Sequence, residues 1–434
     1  MMKFDRVASP ARPSPLAVLS GVARWTPALA LATAGFAAAP MHAAPVGGGE
    51  QAQTPPRVAA DVAKVLETYL IGPAAAADLG CRVNWQTYAV VPEGGALKFL
   101  DSSSDAVLAV NNRNEVTLIR PETGDRAWTA SAADPIDKII GMGVFPFSSR
   151  TGTDAIRIGV MTDAVFYTLS ADNGATIARA RYTHVPSTSP AHVGKLFIYG
   201  TSSGRVAWLN AATGNDGRTH VVDAVGGASP VIAKPAVHDG VVVTGDRSGG
   251  VVALGAANGD FRWKKKLLAG VSASPAIGSS AAFVASDDQY LYAFDLATGT
   301  TLWKYFTQTP LTTSPFVAGE LVLQDVPGEG LVALTQNPES QPGGEVRWKR
   351  ERVMGTPIAI VDNAAAFWCA KCRKVTLVAL KDGSILREVS LPAVDNLEAD
   401  TIEEGGFLAW SADGRIERLS PRTKPAAATA NAAK

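Results

Sequence analysis

Cysteine is scarce in this chain, and neither sign of charge is in excess. The 434 residues include 3 cysteines and 5 histidines, with 40 Lys plus Arg against 40 Asp plus Glu. That balance excludes the electrostatic footprint of a nucleic-acid-binding protein, or of one held on an anionic bilayer by charge. Charged residues (18%) and aromatics (7%) are sparse, whereas Gly (41) and Pro (27) are frequent; short strands joined by turns fit this better than long helices. The odd cysteine count means that, if two bridge, the third is free or pairs with another chain.

The beginning of the chain reads as a leader rather than as part of the fold. Lys3, Arg6, Arg12 and Arg24 form a basic region, and "WTPALALATAGFAAA" is too short to span a bilayer. Small residues follow in "AAAPMHAAP", the pattern a signal peptidase requires. We expect residues 1–44 to be a signal peptide, with an uncleaved anchor as the alternative. Cys81 follows "ADLG" rather than a long apolar run, so no lipid anchor is expected. The mature protein is then periplasmic or otherwise exported, soluble and monomeric.

What the chain has in abundance is one repeated phrase. Aligned on a glycine, it reads "VTLIRPETGDRAW" (Gly124), "FYTLSADNGATIA" (Gly174), "VAWLNAATGNDGR" (Gly214), "VVALGAANGDFRW" (Gly259), "LYAFDLATGTTLW" (Gly299), "LVALTQNPESQPGGEVRW" (Gly344) and "VTLVALKDGSILR" (Gly383). An eighth copy, "GRIERLSPRTK", places Lys424 at the glycine position. The period is about 43 residues, which is one propeller blade. Pro190, Pro235 and Pro275 open their units 24 residues before the glycine, where a missing N–H does least harm. Within the phrase, Ala293 lies on a strand, Asp295 and Thr298 bond turn backbone, and Gly299 takes a positive φ. Trp303, like Trp128, Trp263 and Trp348, offers a large face to the neighbouring sheet. Ala178, Arg218 and Arg387 replace it in three units. The phrase therefore builds rather than reacts.

The fold expected is an all-β, eight-bladed propeller of four-stranded antiparallel blades over residues 81–424. The eighth unit has no fourth strand of its own. "CRVNWQTYAVV" supplies it from the other end, with Trp85 four residues after Cys81, and so closes the ring. Before it, residues 45–80 hold a linker and an amphipathic helix with Val58, Val62, Val65, Leu66 and Tyr69 at helical spacing. That helix is expected to pack on the ring, a partner-binding arm being the alternative. Residues 425–434 are expected to be a disordered tail.

With Ala293, Asp295, Thr298, Gly299 and Trp303 in place, the phrase resembles the A-x-D-x-x-T-G-x-x-x-W repeat of the quinoprotein, or PQQ-like, propellers. Some members are alcohol and sugar dehydrogenases carrying pyrroloquinoline quinone and Ca²⁺. Others hold no cofactor, such as the BamB-type propellers of outer-membrane protein assembly. This chain resembles the second branch: it has no adjacent cysteine pair, and its inner-strand stretches "STSPA", "SASPA", "TTSPF" and "MGTPI" are small and neutral. The resemblance implies a non-enzymatic binding scaffold with protein partners, and neither cofactor nor metal; a PQQ and Ca²⁺-dependent oxidoreductase is the alternative.

Two motifs remain. "GTSSG" (200–204) matches a nucleophile pattern that needs a strand-to-helix elbow, but it falls on a hairpin turn, so no catalytic residue is expected. "CAKC" (Cys369, Cys372) also falls on a hairpin turn, without the helix N-terminus of a thioredoxin-like pair. A local disulfide is the expected state; a redox pair, a half metal site and free thiols are the alternatives. His184, His192, His220 and His238 lack metal-ligand spacing and are expected in loops or on the surface.

Overall fold

Among the described residues, thirty-two strands fold into eight antiparallel sheets of four, each built from strands adjacent in sequence except the last. The structure is a computed structural model that describes residues 68–148, 154–223, 228–337 and 341–422. Blades 1 to 7 cover residues 97–131, 139–181, 191–221, 236–266, 276–306, 316–350 and 356–390. Blade 8 takes three strands from 396–421 and its outermost strand, Cys81–Tyr88, from the N-terminal side. This strand runs antiparallel to Arg415–Pro421, from Cys81 opposite Pro421 to Tyr88 opposite Arg415. The ring is thus closed by the sheet itself, as the half-written eighth repeat requires.

The core lies between the blades rather than within them. Val243, Val251 and Trp263 of blade 4 pack on Ala282, Val284 and Phe294 of blade 5 in one buried cluster. Both faces of an inner sheet are covered in this way, which is why the second and third strands read as near-continuous apolar runs.

The repeated phrase shows how blades interlock. In blade 5, Asp295 Oδ1 accepts the Thr298 N–H at 2.7 Å and the Thr298 hydroxyl at 2.8 Å. These bonds hold the Asp295 carboxyl below its ordinary range. Gly299 has φ +71°. A Cβ there would also stand 2.7 Å from the ring of Trp263 in blade 4, so the glycine answers to backbone and packing together. Ala293, fully buried, pairs with Trp303. The register then skips Leu302, a bulge that turns the tryptophan inward. The Trp303 Nε1–H donates to the Gln336 carbonyl of blade 6 at 2.9 Å.

The same bond recurs around the ring. Trp85 reaches Pro121 O, Trp128 reaches Ala171 O, Trp263 reaches Leu296 O and Trp348 reaches Leu380 O, at 2.7–2.9 Å. Trp85 joins blade 8 to blade 1 and so belongs to the closure. Where Arg218 takes the tryptophan position, Trp208 on the preceding strand donates to Ala256 O at 2.8 Å, the equivalent acceptor in blade 4. Where Arg387 takes it, its guanidinium binds Asp78 at 2.9 Å, at the end of the helix Pro73–Asp78.

That helix lies nearer the ring than the sequence spacing suggests. Of the five apolar positions used to expect a helix, only Tyr69 is described; it is non-helical and half exposed. The other four, the expected leader (1–44) and the expected tail (425–434) lie outside the described residues. Leu70 and Ile71 donate their N–H groups to the Glu417 carboxylate at 3.0 and 3.1 Å. Glu417 is fully buried, and burial pushes its carboxyl up to about 7. Among the described residues no helix is long and apolar enough to cross a membrane.

Candidate functional site

Antiparallel blades place two sets of loops at one end of the ring: those joining second to third strands, and those leading from one blade to the next. This end carries Ile136 and Leu268, which are 93% and 91% exposed, together with Val185, Phe306 and Met354. The loops beneath them are pinned. Asn114 Nδ2–H donates to the carbonyls of Asp134 (2.8 Å) and Asp137 (2.7 Å), bracketing Ile136. The Leu268 N–H donates to Asp288 Oδ2 at 3.2 Å. Between blades 2 and 3, Asp216 accepts the N–H groups of Thr183 and His184 at 2.9 and 3.1 Å. The apolar side chains are therefore presented on ordered loops, an arrangement suited to contact rather than to chemistry.

The turns at this end share one device. A side chain at the end of the second strand accepts turn N–H groups: Asn111 from Arg113 and Glu115, Thr162 from Ala164 and Val165, and Asp246 from Ser248 and Gly250. Thr201 does the same for Arg205 at 2.9 Å, so the "GTSSG" stretch is a hairpin turn and not a nucleophile elbow. In blade 7 the position is Cys369, whose Sγ accepts the Cys372 N–H at 3.1 Å. Cys369 and Cys372 are joined by a disulfide, with Cα atoms 5.2 Å apart. Cys81 is a free thiol, fully buried at the start of the closing strand, and burial pushes it up to about 12.

The inner channel differs from its sequence reading at two positions. By register, Ala191, Ala236, Ala276 and Ala359 hold one level of the innermost strands. At that level Asp101 of blade 1 and Glu398 of blade 8 carry carboxylates in adjacent blades. Burial pushes Asp101 up to about 7, with the Lys234 charge opposing and Glu398 adding to the rise. Glu398 is raised by burial too, against hydrogen bonds from Trp410 and Asn396. His192 is not a loop residue but lies on an inner strand against Phe197, and burial lowers it to about 4. The "SPA" stretches hid the carboxylates, because blades 8 and 1 lack that marker.

These groups do not fit a Ca²⁺-quinone site. Ca²⁺ takes six to eight oxygens, whereas two carboxylates sharing the field of Lys234 offer few. Among the described residues, no three His, Cys, Asp or Glu side chains cluster to hold a metal. A measurable consequence is pH dependence. A carboxyl whose pKa is higher folded than unfolded contributes its stability fully below the unfolded value, near 4, and loses it as pH climbs through 7. Asp101→Asn is expected to match the parent at pH 4 and to exceed it at pH 8 by about 1–2 kcal/mol. Urea midpoints at the two pH values check this; an equal gain at both would remove the ionisation as its cause.

Eight four-stranded blades with tryptophans docked on the next blade's turn, in a ring closed by the N-terminal strand, define the class: PQQ-like repeat propellers. The family model described as outer membrane protein assembly factor BamB matches residues 81–231 and 222–365, and the chain belongs to that family. Among solved structures, BamB from Moraxella catarrhalis is similar at 21% identity and TM-score 0.56, over 77% of this chain and 98% of that one. The computationally designed Ika8 protein is similar at 15% identity and TM-score 0.56, over 75% and 96%. At these identities the likeness concerns the fold. No curated protein matches the chain.

Proposed function

We propose that this protein is an exported, non-enzymatic scaffold that binds polypeptide partners in outer-membrane protein assembly, through the loop end carrying Ile136 and Leu268. One observation carries the reading: two nearly fully exposed aliphatic side chains stand on loops held by Asn114 and Asp288. An interface that covered these loops would gain apolar anchors held in fixed positions. Family membership supports the process, and the leader expected over residues 1–44 would provide the route to the envelope.

The test is capture from envelope extracts with the full chain, followed by the double variant Ile136→Asp, Leu268→Asp. Outer-membrane assembly proteins should be retained by the parent and at least tenfold less by the variant, with unchanged thermal unfolding. Equal retention by the variant, or retention of no assembly protein, refutes the reading. Dye-linked alcohol oxidation on adding pyrroloquinoline quinone and Ca²⁺ would refute it from the enzymatic side.

A further inference from the structure

A third sulfur stands beside the cysteine turn of blade 7. Met354, 59% exposed on the loop from blade 6, places its Sδ 3.9 Å from Cys372 Sγ. The approach is built. Gly355 has φ +106°, and a Cβ there would overlap the Trp368 carbonyl and stand 2.7 Å from Cys369 N. The loop thus lies directly on the Trp368–Cys369 backbone, which only glycine permits. Cys372 is exposed and Cys369 is 8% exposed, so one sulfur faces solvent while the other is sheltered.

We propose that the reduced turn is a copper(I) site, with Cys369 Sγ, Cys372 Sγ and Met354 Sδ as ligands. Thiolate and thioether sulfur select a soft monovalent ion, while no hard oxygen ligand enters the set. Sulfurs around a trigonal centre with metal–sulfur bonds of about 2.3 Å stand about 4 Å apart, the spacing Met354 and Cys372 already hold. The Cys372 N–H directed at Cys369 Sγ stabilises the thiolate from the second layer. Lys371, exposed in the turn beside Cys372, offsets part of the negative charge of two thiolates around one Cu⁺, whereas Arg373 is engaged by Asp395. The disulfide must open first. A dithiol reductant gives two electrons and two protons, becoming its own disulfide and leaving two cysteine thiols. Copper(I) then displaces both thiol protons to solvent and adds the Met354 thioether. The site stands on the same loop end as the partner-binding reading, since Met354 belongs to that surface, but it uses neither Ile136 nor Leu268, so copper titration and partner capture can fail separately.

The experiment titrates copper(I), held by bicinchoninate, against the full chain with and without prior dithiol reduction. One copper per reduced chain is expected, with three sulfurs at about 2.3 Å by X-ray absorption, and none on the oxidised chain. Met354→Leu should weaken binding at least tenfold while unfolding of the metal-free protein stays unchanged. Met354→His, whose imidazole is also a copper ligand, should recover part of the loss. Unchanged affinity in Met354→Leu, a two-sulfur centre, or copper retained by the Cys369→Ser, Cys372→Ser double variant would overturn the proposal.

Discussion

Deleting the chain up to Tyr88 is expected to abolish the cooperative unfolding of the propeller and turn it into an associating species. The deletion removes the strand paired with Arg415–Pro421 and the Trp85 bond to Pro121. It also removes Leu70 and Ile71, whose N–H groups Glu417 holds. Blade 8 then ends in a bare edge whose Ile416 and Leu419 are fully buried in the intact ring. Such an edge pairs with another copy. Losing an eight-residue strand together with a buried tryptophan is an effect of at least 5 kcal/mol, a large part of any domain's stability. Light scattering and urea unfolding read the result, and a peptide of residues 68–88 should restore the monomer. A monomeric deletion variant with the parent's urea midpoint would show that the ring does not depend on this strand.

Trp303→Ala is expected to be the most damaging single substitution in the repeats. Trp303 is 1% exposed, donates to Gln336 O, lies against Phe283 and meets Gly344 of the next blade. Truncation leaves a cavity between blades 5 and 6 and an unpaired buried carbonyl, costing about 3–5 kcal/mol. Trp128 makes the same bond but is only partly buried, so Trp128→Ala should cost less, about 1–3 kcal/mol. Urea midpoints of the two variants give the order, and equal costs would mean that the docking bond they share, not burial, sets the energy. Trp303→Phe separates the two contributions, since it keeps most of the area and loses the N–H.

The architecture was legible in the sequence for a physical reason. Every blade solves one local problem, a hairpin turn followed by a strand that must dock outward, and variants of one phrase, Asp, Thr, Gly and Trp at fixed offsets in its fullest form, recur to solve it. Repetition of Gly299 and its counterparts counts the blades, and Lys424 in place of the eighth glycine marks the blade completed from elsewhere. The local pattern does not say what occupies the far side of each contact. Trp208 substitutes for the position held by Arg218, and nothing in its own neighbourhood signals that, because its acceptor, Ala256, belongs to the following blade.

The loop end and the channel were less legible. Ile136 and Leu268 read as ordinary aliphatics in turns, and only their exposure and the bonds their loops make with Asn114 and Asp288 set them apart. Asp101 and Glu398 lie nearly 300 residues apart in the chain. Ring closure brings blades 8 and 1 together, and the burial that raises both carboxyls exists only in the closed ring. Met354 is likewise 18 residues from Cys372, a separation with no periodicity to flag it. Local chemistry repeated eight times was enough to determine the blade, its count and the strand that closes the ring. Contacts between blades, which join residues of no fixed spacing, were decided by the tertiary structure alone, because burial and proximity are properties of the assembled ring.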